Sequence, residues 1–473
     1  MQLPDHKTKI VCTIGPASNS QPVLEEMIRR GMNVARLNFA HGDFAAHKTT
    51  IATIRAAAQA VGQRVSILAD LPGPKIRVGK LAEPRELTHG DTLTLCAENE
   101  PKDTIAVPVN FSTLPQVVRS GQTIFLNDGF IQLEVLEVAE QTVRCRVMVG
   151  GVLRSHKGLN VPGVDLGISA FTEDDRRGLQ FAVENGVDAV SQSFVQNPDD
   201  IVAVREAARA SGRVPMIFAK IERSLALDNY EAILAVADGV MVARGDLGVE
   251  IPLQNIAVVQ KRLIRQANLL GKPVITATQM LESMTANRRP TRAEVTDVAN
   301  AILDGTDCVM LSEESATGAY PLDAVHMLAC IASATENEGR GERVREILNR
   351  AMAQGTISVE DLIAMSVQNS VERLPAVAVL TPTYSGTTAR RIARFRLPVW
   401  VMAMSTREAT CQALQFSYGV YPLHEVEYQE DWEAYARHWL TQQGVTQGMA
   451  VLTQGPSSQH PGATNNMRII ELQ

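Results

Sequence analysis

Eight short runs of β-branched residues punctuate the chain, at 9–14 (KIVCTI), 33–37 (NVARL), 65–69 (VSILA), 189–194 (AVSQSF), 216–221 (MIFAKI), 239–243 (GVMVA), 273–277 (PVITA) and 308–311 (CVML). Most lead into a polar or glycine-rich tip and then a stretch with helical periodicity. Strands alternating with helices imply βα units around a parallel sheet. Eight such units suggest a closed (β/α)8 TIM barrel. One helix start is explicit: Thr291 and Glu294, three apart in TRAE, have the spacing of a capping box.

The chain has 473 residues, too many for one ordinary core, so about two to four domains are expected. A barrel takes ~250 residues, which fits 1–71 plus 163–337 once 72–162 is set aside. That excluded piece holds alternating segments at 92–96 (TLTLC), 123–126 (TIFL), 133–138 (LEVLEV) and 143–149 (VRCRVMV). They predict a small all-β barrel inserted after the third strand. An insertion there lies over the mouth of the larger barrel, where it would serve as a lid. Residues 338–473 alternate again, with strands expected at 376–380, 399–404, 449–453 and 468–471. This predicts a C-terminal doubly wound α/β domain.

Charge and cysteine usage narrow the functional classes. A net charge of −7 argues against general nucleic-acid binding, although local cations can still make one cleft attractive to anions. No apolar stretch is long enough to span a bilayer. The first ten residues (MQLPDHKTKI) do not read as a secretory signal. Six cysteines, at 12, 96, 145, 308, 330 and 411, are scattered without a Cys-x-x-Cys pair. They suggest reduced thiols in a cytoplasmic protein without zinc.

In a βα barrel the reacting groups sit at the C-terminal ends of strands. Here those tips carry Arg36, Asn38, Asp70, Lys220, Glu222, Arg244, Asp246, Thr278, Ser312 and Glu313. Glu222 and Asp246 follow neighbouring strands and can converge on one Mg²⁺, which favours a few carboxylates completed by water and substrate oxygens. Lysine and arginine at adjacent tips supply the positive charge that a migrating phosphoryl group needs. Each motif alone has a plainer reading. Lys-x-Glu is commonly a surface ion pair, Arg-Gly-Asp marks turns, Asn38 could cap a helix and Arg36 could pair with a carboxylate. Charge at the end of several independent strands, all on one rim, favours chemistry.

At these residues the chain resembles the pyruvate kinase family, in order and along almost its whole length. The matching segments are 8–18 (TKIVCTIGPAS), 31–42 (GMNVARLNFAHG), 70–77 (DLPGPKIR), 220–222 (KIE) and 242–252 (VARGDLGVEIP). They continue at 277–284 (ATQMLESM), 290–294 (PTRAE) and 303–312 (LDGTDCVMLS). The resemblance, to the bacterial type, implies a magnesium-dependent glycolytic transferase, with Mn²⁺ as a substitute ion. It would move the phosphoryl group of phosphoenolpyruvate to ADP, giving ATP and pyruvate. By the same resemblance Glu222 and Asp246 are metal ligands. Lys220 stabilises the transferring phosphoryl group and the enolate, and Arg36 holds phosphoryl oxygens. Amides around Gly245 and Asp246 bind the substrate carboxylate, and Thr278 lies near the carbon that gains a proton. Arg77, Asn38, His41 and Pro16 are implied for the nucleotide. The family is usually homotetrameric.

The segment 383–388 (TYSGTT) lies between a strand and an arginine-rich helix. Alone it reads as an ordinary capped turn. The resemblance implies instead an effector site in which Ser385, Gly386, Thr387 and Thr388 cradle the phosphate of a phosphorylated sugar or nucleotide activator, beside a second loop at 454–466. Two rivals remain: a magnesium-dependent aldolase or lyase acting through a pyruvate enolate, and a non-catalytic sensor of sugar phosphates.

One departure from the family pattern concerns potassium. Many members hold a monovalent cation with an asparagine, a serine, an aspartate and a threonine carbonyl, near a glutamate in Gly-Pro-Glu. Asn38 and Asp70 are retained here, but the serine position is Ala40, the threonine position Leu71 and the glutamate position Lys75. An ammonium at 75 could replace the ion's charge, so no K⁺ requirement is expected. The plainer alternative is a Lys75 that points to solvent and pairs with nothing.

Overall fold

All eight runs form strands of one closed, parallel barrel in which each strand pairs with its sequence neighbours. These are β1 (Lys9–Thr13), β2 (Met32–Asn38), β3 (Ser66–Leu71), β4 (Ala189–Gln192), β5 (Met216–Ile221), β6 (Gly239–Ala243), β7 (Val274–Ala277) and β8 (Cys308–Leu311). The computed structural model describes residues 3–96, 106–336, 338, 342–427, 429–455 and 464–472. The run at 189–194 ends as a strand at Gln192, earlier than its composition suggests, because Phe194 takes a left-handed φ of 57°.

Period-two alternation splits the barrel strands between two cores. Ile10, Cys12, Val240 and Val242 pack outward against the helices. Val11, Val34, Leu68, Phe218, Met241, Ile275 and Met310 pack together on the inside. Phe416, which comes from far along the chain, joins this inner group fully buried, its ring 5.0 Å from that of Phe218. Gly239 makes the space: a Cβ there would stand 2.4 Å from the Phe218 ring. The Cys308 thiol also donates to the Phe416 carbonyl (3.3 Å) and the Ser66 hydroxyl to that of Gln412 (2.7 Å). The floor of the barrel is thus closed by the C-terminal part of the chain.

The inserted segment has its own core, including Leu95, Val107, Ile124, Leu133 and Val147. Its six-stranded sheet runs Leu159–Asn160, Thr123–Leu126, Ile131–Val138, Thr142–Val149, Thr92–Cys96, Val107–Pro108, and Arg85–Leu87 pairs separately with Gly151–Leu153. It touches the barrel mouth, where a Cβ on Gly129 would lie 3.4 Å from Val249.

The C-terminal sheet contains β9 (Ala376–Pro382), β10 (Val401–Ser405), β11 (Val420–His424), β12 (Gly448–Gln454) and β13 (Asn466–Leu472), ordered β11-β10-β9-β12-β13. Four strands are parallel and β13 is an antiparallel edge. Both faces are buried, as doubly wound sheets require. Val379, Val401, Ala403 and Val451 face one core, while Leu380, Met402, Met404 and Leu452 face another that includes Trp432 and Leu440. The sequence reading missed β11. Pro422 breaks its strand signal, but β11 is an edge strand, where proline is tolerated. Among the described residues no helix is long and apolar enough to cross a membrane. The six cysteines are free thiols.

Candidate active site

Arg36 lies near the end of β2, beside β3, and its guanidinium clamps Asp70 there. Nε and Nη2 both donate to Asp70 Oδ2 (2.8 and 2.5 Å), while Nη1 reaches Thr13 Oγ1 (2.8 Å). The other carboxylate oxygen of Asp70 accepts from Ser191 Oγ (2.7 Å) and faces Lys220 Nζ at 3.4 Å. Lys220 in turn lies 2.9 Å from Glu222 Oε1 and donates to Ser193 Oγ (2.6 Å). Glu222 is held from behind by the Phe194 N–H (2.7 Å), which the left-handed turn at 194 aims at it. Three strands, β2, β3 and β5, therefore feed one buried chain of alternating charge.

The electrostatics follow from that chain. Burial pushes the Asp70 carboxyl up, but Lys220 and Arg36 outweigh it and hold Asp70 below its ordinary range. For Lys220, burial pulls the ammonium down, and attraction to Asp70 and Glu222 more than restores it. Glu222 goes the other way. Burial raises it, Lys220 opposes, and repulsion from Asp246 adds to the rise. Two carboxylates whose charges repel form a pair that a divalent cation would draw together. Hard oxygens of this kind suit Mg²⁺ or Mn²⁺. Among the described residues no three His, Cys, Asp or Glu groups cluster as metal donors, so an ion here would complete its shell from substrate and water.

Asp246 has a second neighbour. Lys75 Nζ stands 3.4 Å from Asp246 Oδ1, its side chain only 31% exposed. The alternative in which Lys75 points to solvent unpaired does not describe this geometry. The Gly245 N–H donates to Thr278 Oγ1 (2.9 Å), and Arg244 secures the Thr278 carbonyl (2.6 Å). Thr278 and Gln279 both have positive φ, 68° and 54°. A β-branched residue is rarely found there, and such strain collects where a side chain must be aimed.

Other expected positions lie apart from this cluster. Asn38 Oδ1 accepts from the nearby Ala40 N–H (3.1 Å), a local turn. His41 and Pro16 are exposed, and the His41 carbonyl is fixed by His47 Nε2 (2.9 Å). Arg77 reaches back within the lid to the His156 carbonyl (2.9 Å). Glu313 begins a short helix, whereas its neighbour Glu314 is buried, accepting from Leu281 and Ser312 N–H groups. The sequence reading passed over Ser191 and Ser193. Their spacing of two, which would put both on one face of the strand expected over 189–194, was the available signal.

In the C-terminal domain, Gly386 has φ +80° and a Cβ there would meet Leu414 at 2.8 Å, so the turn needs glycine. Ser385 and Thr387 share a hydrogen bond (3.0 Å), and the Thr388 hydroxyl contacts that of Thr464. Residues 456–463 of the expected second loop lie outside the described residues.

The fold and rim together define a (β/α)8-barrel enzyme with a charged mouth beneath an inserted β lid. Residues 5–325 match the family model for the pyruvate kinase barrel domain, and 361–470 match the one for its alpha/beta domain. A pyruvate kinase of Thermococcus litoralis is 48% identical over 89% of each chain. One of Geobacillus stearothermophilus is 41% identical over 98% of this chain and 80% of its own. Pyruvate kinase 2 of Synechocystis is 45% identical over 88% of this chain and 70% of its own. The chain belongs to the pyruvate kinase family.

Proposed function

We propose that this protein transfers the phosphoryl group of phosphoenolpyruvate to ADP, the last step of glycolysis, at the mouth formed by 1–71 and 163–337 under the 72–162 lid. The observation that carries it is Lys220, held between Asp70 and Glu222 beside Arg36. The six charged groups, Arg36, Asp70, Lys75, Lys220, Glu222 and Asp246, cancel formally. A divalent cation on Glu222 and Asp246 makes the site net positive and neutralises phosphoryl charge when bound. Arg36 and Lys220 hold the phosphoryl oxygens while an ADP oxygen attacks in line. The bond from phosphorus to the enol oxygen breaks, and Lys220 stabilises the enolate left behind. Its methylene carbon then takes a proton from Thr278 or a linked water. The Gly245 N–H already satisfies Thr278 Oγ1 as an acceptor, which leaves the hydroxyl proton free to be delivered. Arg77, Asn38, His41 and Pro16 serve the nucleotide as the lid closes.

The test is ATP formation by purified protein with phosphoenolpyruvate, ADP and Mg²⁺. A pyruvate aldolase or lyase would form none. Asp246→Asn is expected to raise the half-saturating magnesium concentration about tenfold or more, along with lowering kcat, because it removes a ligand charge. Unchanged magnesium dependence would remove Asp246 from the ligand set.

The C-terminal domain (338–473) is the regulatory one in this reading, with a phosphorylated sugar or nucleotide bound at Ser385–Gly386–Thr387–Thr388. A homotetramer in the cytoplasm is proposed from the family alone. Replacing Thr387 and Thr388 with glutamate should block activation by like charge yet leave basal turnover. Intrinsic fluorescence checks it, since all three tryptophans, 400, 432 and 439, lie in this domain. Trp400 also faces the barrel, with Lys9 Nζ 5.2 Å from its ring centroid. Activator should shift the wild-type emission and leave the double variant unchanged. Loss of all activity, with no separable loss of activation, counts against the site.

A further inference from the structure

The chain leaves the lid through residues 160–164, and side chains next to the metal-ligand candidates hold it there. Arg223, directly after Glu222, donates from Nη2 to the Val164 carbonyl (2.9 Å). The Ser224 hydroxyl accepts from the Gly163 N–H (3.2 Å). Both residues meet Glu250. Arg223 Nε stands 3.5 Å from Glu250 Oε2, and the Ser224 N–H and hydroxyl each lie 3.3 Å from the same oxygen. Val161 and Val164 pack in the core of the lid, so a shift of this stretch is a shift of the lid.

Arg223 and Glu250 are each only 5% exposed. Burial raises the Glu250 carboxyl above its ordinary range, against the pull of Arg223, Ser224 and Asn160. Charges this deep need close pairing to offset their desolvation. This pair is only half made: Arg223 Nε and Glu250 Oε1 have no hydrogen-bond partner, and the Nε–Oε2 separation exceeds the ~2.8 Å of a complete charge-assisted bond. A small movement of either residue would complete it, and each is attached to a metal-ligand candidate. Glu222 precedes Arg223 in the chain. Asp246 lies four residues before Glu250, on the same face of the helix Arg244–Glu250. That helix meets the lid elsewhere too. Lys75 pairs with Asp246 where the chain enters the lid, and Val249 is the neighbour of Gly129.

We propose that Arg223 and Glu250 are positioning residues that couple the lid to the cation site: their ion pair closes as Glu222 and Asp246 are drawn together, and it carries 160–164 along. The inference rests on the reading of Glu222 and Asp246 as metal ligands. The pair acts through those ligands and not on the substrate.

Hydrogen–deuterium exchange of the intact protein, without substrates and with either no Mg²⁺ or saturating Mg²⁺, tests this, while calorimetry on the same samples reports magnesium binding itself. In the wild type, magnesium is expected to slow exchange in peptides covering 159–166 about fivefold or more, the low end of coupling between linked sites. In Glu250→Gln magnesium should still bind, but the slowing at 159–166 should vanish. A pair with only a structural role would change exchange there equally with and without the ion. Replacing both partners of a buried ion pair with apolar residues of similar volume is often neutral or stabilising. Arg223→Met combined with Glu250→Met therefore decides the matter if Glu250→Gln does not fold. Magnesium binding without slowing at 159–166 in the wild type, or slowing that persists in the variants, overturns the proposal. A wild type that binds no magnesium instead fails the ligand reading, and the coupling falls with it.

Discussion

Replacing Lys220 with methionine is expected to abolish turnover, with kcat falling roughly 10³- to 10⁵-fold, the range seen when a cation that stabilises phosphoryl transfer is removed. The reason is specific to the transition state. In the proposed mechanism the ammonium meets the enolate's charge only as the enol oxygen departs, so its loss should appear in kcat more than in KM. The fold should survive. Asp70 keeps Arg36 and Ser191, and Glu222 keeps the Phe194 N–H. Glu222, already raised, can also take a proton instead of remaining an uncompensated buried charge. Steady-state kinetics, a thermal melt and a magnesium-binding titration separate the effects. Near-wild-type kcat would remove Lys220 from the mechanism.

The second large effect concerns monovalent cations. Wild-type initial rates are expected to be unaffected when tetramethylammonium replaces every potassium and sodium ion at constant ionic strength. In the proposed reading Lys75, 3.4 Å from Asp246, supplies the charge instead. At that separation a pair is worth about 4–5 kcal/mol at an effective dielectric near 20. Solvent screening of a partly exposed side chain leaves about a third of that, roughly tenfold in rate or binding. Lys75→Glu reverses the sign and places a third carboxylate beside Glu222 and Asp246. The variant should gain a potassium requirement or lose activity. Strong activation of the wild type by potassium would sink the idea.

How much could be read from the sequence depended on how unusual each local signal was. The barrel strands were legible because β-branched runs stop abruptly at polar or glycine tips. The two-residue strands Val107–Pro108 and Leu159–Asn160 were not, since two residues carry no alternation. Cations and carboxylates at strand ends stood out because buried strands rarely finish in charge. Ser191 and Ser193 did not, as hydroxyls occur anywhere. Nothing local could reveal that Lys75 meets Asp246, because the pairing exists only once lid hinge and barrel are assembled. Lys75 was singled out only through comparison with the family pattern.

Phe416 carries a consequence for how this protein could be cut or recombined. A division of the chain at the end of the barrel's last helix would strip the floor of an aromatic ring, exposing Phe218 and leaving the Cys308 and Ser66 donors without their acceptors. The barrel is therefore not a self-sufficient unit, although it is continuous in space. A chimera that takes its C-terminal half from a relative would have to match the residues around 412–420 to the recipient's floor, however compatible the two sheets are. Inheritance of the C-terminal domain is constrained from beneath the barrel, by packing rather than by ligand chemistry.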